Sequence, residues 1–456
     1  MNLIGACRFI AACASLLLAG ALFGQDCAHP DLNPQERLSR FHDLDARAQT
    51  AMQQKRFTDA VELYREATCL APESPRGLYG LGVAQAASGD FLNARESLRK
   101  ADHIQPTSPL PLAMEVRIDF SLNDMDALKA DLREEAARFP RDAQLHALLA
   151  RFLAEKKLVT LALAESLRAQ QAGGADPDSK AQLAILENAV GAYEDAIRNA
   201  DALEHRTELS LALRASAAGV AGLSYESIGQ RDEAIHHLQE AIRLDPSREN
   251  SYLALADLFE QAQRYADAVA VLKQGRANVP ASTAFLLPLG SDLIRTEQYQ
   301  DGIDLLRDLL RRSPDADQAY LSIADASRKM GNSAQEVQAL RDLASRKPDY
   351  PMIHVLLARA MLNGSTVDYP KVLEELAQAE KLAPADPDVF YLRGKVYIAT
   401  NKYKEAVAAL NRSIELRPLE SGPYYQLARL YQKLGKPGLA KEQFARLKYL
   451  EAAPSN

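Results

Sequence analysis

Tryptophan is absent from the 456 residues, and glycine and proline number only 22 each, which excludes collagenous and low-complexity classes. No run of five or more like charges occurs, so acidic tails and polybasic membrane patches are missing too. The formal net charge is −7, and nucleic acid is not an expected partner of so acidic a chain. The motifs G-x-S-x-G, H-E-x-x-H and C-x-x-C and the phosphate-binding loop are likewise absent. The eight histidines are scattered, and the adjacent His236 and His237 point about 100° apart on a helix. They are expected on solvated helix faces, as are the pairs Glu134-Glu135 and Glu374-Glu375. The sequence therefore predicts no enzymatic activity of its own, no cofactor, no metal site and no small-molecule substrate.

What is present begins at the N-terminus. A lone Arg8 precedes an uncharged apolar run from Phe9 to Phe23, and polarity returns at Gly24-Gln25-Asp26. This is the layout of a signal peptide, residues 1–24, with cleavage expected after Ala21 or Gly24. The run is short of the roughly 20 residues a membrane span requires. An uncleaved anchor is one alternative. A lipoprotein processed at Cys13 in Ile10-Ala11-Ala12-Cys13 is another, weakened because the apolar stretch lies mostly after the cysteine. Loss of the segment removes Cys7 and Cys13 and leaves Cys27 and Cys69 as the even pair of an exported chain, periplasmic or secreted.

Prolines reveal a period. Pro72, Pro106 and Pro140 stand 34 residues apart, as do Pro246, Pro280, Pro314 and Pro348, and Pro384 and Pro418. Between Pro140 and Pro246 the frame holds with an insertion of four residues, and between Pro348 and Pro384 with an insertion of two. One frame thus runs from about Phe41 to Pro454 and accommodates twelve repeats. Within it a first column of small residues reads Ala48, Gly82, Ala150, Ala184, Gly222, Ala256, Gly290, Ala324, Ala358, Gly394 and Ala428, interrupted only by Val116. A second column includes Ala60, Ala94, Leu128, Ala162, Ala196, Ala234, Ala268, Gly302 and Ala406. Small residues at both places let two helix backbones approach closely. Four residues after the second column stand Tyr64, Leu98, Leu132, Leu238, Leu272, Leu306, Leu340, Leu376, Leu410 and Phe444, one helical turn later on the same face. Gly89-Asp90, Gly229-Gln230, Gly331-Asn332 and Gly435-Lys436 mark the turns inside the hairpins.

On these columns the chain resembles the tetratricopeptide repeat family. Ala60-Val-Glu-Leu-Tyr64-Arg-Glu-Ala67 through Pro72 carries the best match, echoed from Ala234 to Pro246 and from Ala406 to Pro418. The resemblance implies an all-α fold, an α-solenoid forming a right-handed superhelix of about twelve antiparallel helix-turn-helix units. The expected organisation is a leader, 25–40; an N-terminal array, 41–210, degenerate in repeats three to five; and a C-terminal array, 211–454. Around Thr207 to Ala218 the extra residues either lengthen a helix or form a loop. Cys69 falls at the end of the first repeat's second helix and Cys27 in the leader, so a Cys27–Cys69 disulfide is expected to pin the N-terminal arm. At the other end Leu439, Phe444, Leu447 and Leu450 have no further helix to cover them, which leaves fraying or self-association through the C-terminal repeat.

In this family the first helices line a concave groove that binds peptides. The residue after each first-column member should face it, and here that row includes Arg117, Arg151, Arg359, Lys395 and Arg429. With Lys433, Tyr391 and Tyr425 nearby, Arg359, Lys395 and Arg429 make a candidate partner site for an acidic segment or a free C-terminal carboxylate. The alternative is a solvated face balanced by neighbouring acids. The functional expectation is a protein–protein interaction scaffold of an extracytoplasmic compartment. A component of envelope assembly, secretion or polysaccharide export machinery, and a regulatory subunit of an enzyme complex, are the other readings.

Overall fold

The computed structural model describes residues 32–174 and 176–452. These contain 24 helices and no strand, numbered here from α1 (Pro34–Gln53) and α2 (Phe57–Leu70) to α24 (Pro437–Ala452). They pair into twelve hairpins, as the 34-residue frame predicts. Residues 1–24, with their cleavage and lipidation positions, lie outside the described residues, as does Cys27. Cys69 is disulfide-bonded.

Helix α1 starts ahead of the frame's opening at Phe41, and the cause is local. The Glu36 amide donates to Asn33 Oδ1 at 2.9 Å while Glu36 Oε2 accepts from the Asn33 amide at 2.9 Å. That capping box, with Pro34 in the first turn, makes the end of the expected leader helical.

The chain divides into two compact units after Leu213. In the first, α3 (Pro75–Ala87), α5 (Leu110–Ser121), α7 (Ala143–Glu155) and α9 (Pro177–Ala189) are first helices of hairpins. Their second helices are α4 (Phe91–Ile104), α6 (Met125–Arg138), α8 (Val159–Gln171) and α10 (Tyr193–Glu204). Helices α3 to α6 pack in sequence order, as do α7 to α10, and α1, α3 and α5 also touch in series, the nearest-neighbour pattern of a solenoid. The four-residue insertion is absorbed by α11 (Leu211–Ser227), which has 17 residues where α7 has 13. The two-residue insertion instead lengthens the connection 363–368, between α19 (Pro351–Leu362) and α20 (Tyr369–Leu382).

Hairpin turns place one residue in the left-handed region, and glycine is not required there. Gly89, Gly229, Gly331 and Gly435 have φ of 89°, 78°, 73° and 70°. Lys55, Asn123, Lys157, Gln263, Glu297 and Asn401 occupy the same place in other repeats with φ between 57° and 63°. Only the glycine turns were visible as turn signals. The others bear a cost of about 1 kcal/mol each, offset by the packing on either side.

That packing follows the two small columns. A Cβ on Gly82, Gly222, Gly290 or Gly394 would meet Leu98, Leu238, Leu306 or Leu410, at 2.6–2.7 Å. Each leucine comes from the second helix of the same hairpin and is fully buried. In the second unit the apolar core is continuous from Ala234 to Ala360. At the C-terminal end Leu439 is 41% exposed, while Phe444, Leu447 and Leu450 are half-buried. No helix among the described residues is long and apolar enough to cross a membrane.

Candidate functional site

The basic row of the second unit sits on three successive first helices, α19, α21 (Pro387–Ala399) and α23 (Ser421–Lys433). These touch in series, α19 on α21 and α21 on α23. Arg359 and Arg429 are exposed and Lys395 half-buried. Their circumstances differ. Arg359 Nη2 lies 3.3 Å from Asp388 Oδ2 on the next first helix, and Arg417 Nη1 lies 3.4 Å from the other oxygen of that carboxylate. Lys395 Nζ stands 6.0 Å from the centre of the Tyr391 ring. Lys433 Nζ stands 5.0 Å from that of Tyr403, on α22 (Tyr403–Leu416). Arg429 forms no ion pair among the described residues. Tyr425 is 45% exposed, whereas the Tyr391 ring packs at 3.3 Å from where a Cβ on Gly422 would stand. The row thus presents one free guanidinium, two ammonium groups over tyrosine rings and one guanidinium already shared with Asp388.

The histidines overturn the expectation of solvated faces. His42, His103, His205 and His236 are exposed, but His146, His237 and His354 are buried, His237 stacked on Tyr225 at 5.0 Å. Likewise Glu134 and Glu374 are exposed while Glu135 is fully buried and Glu375 half-buried. The reason is repeat register. His146 and His354 occupy the first-helix place that holds Tyr252, Tyr320 and Tyr424 elsewhere. Glu135 takes the buried place of Ala101, Gly275 and Leu343.

His354 is satisfied on both sides: Nδ1 is 2.8 Å from Glu375 Oε2 and Nε2 is 3.0 Å from the Pro348 carbonyl. His146 is not. Its Nδ1 lies 2.8 Å from Glu165 Oε2 and 3.3 Å from Glu135 Oε1, all three side chains being 0–1% exposed. Arg168 holds the other oxygen of Glu165. Among the described residues neither oxygen of Glu135 receives a hydrogen bond, and His146 Nε2 has no partner. Burial, and then the Glu165 charge, pushes the Glu135 carboxyl up to about 7. Burial pulls the His146 imidazole down, but the Glu165 hydrogen bond and the charges of Glu135 and Glu165 outweigh it, and the net shift is upward.

A second acidic cluster lies one hairpin earlier. Asp119 of α5 is buried and paired with Arg95 of α4, and Glu115, one turn before it, is 3.4 Å from Arg99. Asp119 Oδ2 lacks a donor. The Asp131 carboxyl of α6 is within hydrogen-bond reach of the Asp119 carboxylate. Burial, then the hydrogen bond and charge of Asp119, push the Asp131 carboxyl from 3.8 up to about 7. Between those values the folded chain holds a proton that the unfolded chain has released, so this contribution to stability is full below about pH 4 and lost as pH rises to about 7. Asp131→Asn, whose amide is a permanent donor, is expected to match the wild type at pH 4 and exceed it by about 1–2 kcal/mol at pH 8, after discounting for solvent screening. Urea denaturation at the two pH values measures this; a pH-independent difference would refute the shared proton.

Models of the tetratricopeptide repeat match residues 46–109, 220–283 and 287–351, and again 387–418 and 422–454. The chain belongs to the tetratricopeptide repeat family. The unmatched stretch between 109 and 220 contains the degenerate repeats and the buried carboxylates just described. No curated protein matches the chain. Similar solved structures include yeast Tom70, 15% identical, with 92% of this chain and 93% of that one covered and a TM-score of 0.34. Another is Naa15/Naa10 bound to HypK-THB, at 14% identity, 89% and 68% coverage and a TM-score of 0.39. A third is YrrB, described as a tetratricopeptide protein with an unusual peptide-binding site, at 15% identity, 41% and 96% coverage and a TM-score of 0.37.

Proposed function

We propose that this chain is a protein-interaction scaffold of an extracytoplasmic compartment, which binds peptide segments or partner proteins on the surface of its first helices and works by binding, without chemistry of its own. The observation that carries the reading is the row on α19, α21 and α23. Arg429 is exposed with no ion pair among the described residues, and Lys395 and Lys433 stand over tyrosine rings, where packing does not require a positive charge. Such a row offers charge-assisted hydrogen bonds to an acidic segment or a C-terminal carboxylate, with Tyr425 as an apolar neighbour. Export rests on the apolar run Phe9 to Phe23 behind Arg8.

The test is a selection of displayed peptides on the purified chain, repeated with Arg359, Lys395 and Arg429 all changed to Ala. Selected peptides are expected to be acidic or to need a free C-terminus, and to lose about tenfold or more in affinity on the variant, about 1.4 kcal/mol. Added salt should weaken wild-type binding more than variant binding. An identical peptide set with equal affinities would dismiss the row as a binding site.

A further inference from the structure

Two carboxylates and an imidazole meet, fully buried, in the first unit. Glu135 of α6, His146 of α7 and Glu165 of α8 come from three consecutive helices, and one ligand atom from each lies within 4.8 Å of the others. An isolated carboxylate with no hydrogen bond is among the costliest groups to bury. Neither oxygen of Glu135 has a hydrogen bond among the described residues, and the one group facing it is the His146 ring nitrogen at 3.3 Å.

The same fold supplies the comparison that isolates the anomaly. At His354 the histidine–glutamate pair is complete, through Glu375 and the Pro348 carbonyl, and the place of Glu135 is taken by Leu343. The pair therefore does not need a second carboxylate. Around His146 the second carboxylate is present, buried and 3.3 Å from the imidazole nitrogen, with no hydrogen bond among the described residues.

We propose that Glu135, His146 and Glu165 bind a divalent transition-metal ion, zinc by preference, that clips α6, α7 and α8 together. One imidazole nitrogen and carboxylate oxygens form a set that suits zinc better than calcium or magnesium, which take oxygen ligands. Bond lengths of about 2.0–2.2 Å place adjacent ligand atoms of a tetrahedral site roughly 3.3 Å apart. His146 Nδ1 already lies 2.8 Å from Glu165 Oε2 and 3.3 Å from Glu135 Oε1. One oxygen from each carboxylate and His146 Nδ1 supply three positions of a tetrahedral site, and a water molecule carried in with the ion takes the fourth. Arg168 holds Glu165 Oε1 from outside and leaves Oε2 to the ion, the role of an outer-shell partner. The clip falls among repeats whose small columns and prolines depart from the frame, at Leu128 and Gly173-Gly174, where packing is least regular.

The test uses the whole purified chain, unfolded in chelator and refolded with and without zinc. One zinc per chain is expected after gel filtration, with Tm raised by several degrees over the zinc-free protein. Glu135→Leu, which copies Leu343, should retain no zinc and be at least as stable in chelator as the zinc-free wild type. Glu375→Gln, at the pair with only one carboxylate, should keep the full equivalent of zinc. Cobalt(II) loaded into the wild type should show the intense visible bands of a tetrahedral ion, a readout independent of how the variants fold. Equal zinc content in wild type and Glu135→Leu, a Tm indifferent to zinc, or the weak cobalt spectrum of an octahedral ion would each overturn the site.

Discussion

Arg95→Ala is expected to destabilise the first unit by about 3 kcal/mol near neutral pH, the cost of leaving a buried carboxylate without its counter-charge. Arg95 pairs with Asp119, whose side chain is 1% exposed, and Asp131 and Glu115 add further acid around the same point. Removing the guanidinium leaves three carboxyl groups facing one another with only Arg99 nearby, on Glu115. The loss should shrink at pH 4, where Glu115 and Asp131, both pushed up by burial, hold protons. Replacing both partners with apolar residues, Arg95→Met with Asp119→Leu, should recover most of the stability, since a dry pair gains little over good packing. Urea denaturation of the single and double variants at both pH values decides it; an Arg95→Ala loss that is the same at pH 4 and pH 8 would mean that packing of the arginine stem, and not its charge, is what matters.

Gly302→Val is expected to cost about 3 kcal/mol, the upper range for overpacking. A Cβ at Gly302 of α16 (Tyr299–Arg312) would stand 2.7 Å from the carbonyl oxygen of Gly290 and 2.8 Å from Ile294, both on α15 (Leu286–Arg295). Backbone meets backbone there, and nothing short of separating the two helices makes room. Gly222→Ala is the control. Its Cβ would meet the Leu238 side chain at 2.7 Å and the Ala234 carbonyl oxygen only at 3.2 Å, so a smaller side chain, a less direct backbone clash and the roughly 1 kcal/mol gained in helix propensity should make its loss clearly smaller. Equal Tm losses for the two variants would contradict the account of the small columns.

The hairpins were legible because proline, small residues and leucine recur at fixed steps over most of the chain. The period fixed twelve hairpins and predicted that Leu98, Leu238, Leu306 and Leu410 are core. Local chemistry outside the period was not legible in this way. The helical start at Pro34 depends on one capping box, and the left-handed turns at Lys55 and Glu297 carry no glycine. The buried polar clusters were missed for a further reason. By itself Glu134-Glu135 reads as an ordinary charged pair on a solvated helix, yet aligned in the frame Glu135 occupies the place of Ala101 and Leu343, and that alignment is the available signal. The basic row was visible in the columns. Its uneven state, Arg359 shared with Asp388 and Arg429 without an ion pair among the described residues, depends on an acid in the neighbouring helix that column reading does not weigh.

The central claim is that partners bind on the first helices, and the most direct test is to place a photocrosslinking residue at exposed positions of both kinds and map the captured segment. Ala399 and Gln432, one turn after Lys395 and Arg429, report on first helices and leave the basic row intact, while Glu405 and Arg412 report on the second helix α22. With peptides selected on the wild-type chain, crosslinks are expected from Ala399 and Gln432, and competition with free peptide should remove them. Crosslinks confined to Glu405 and Arg412 would put the partner on the opposite surface and contradict the account.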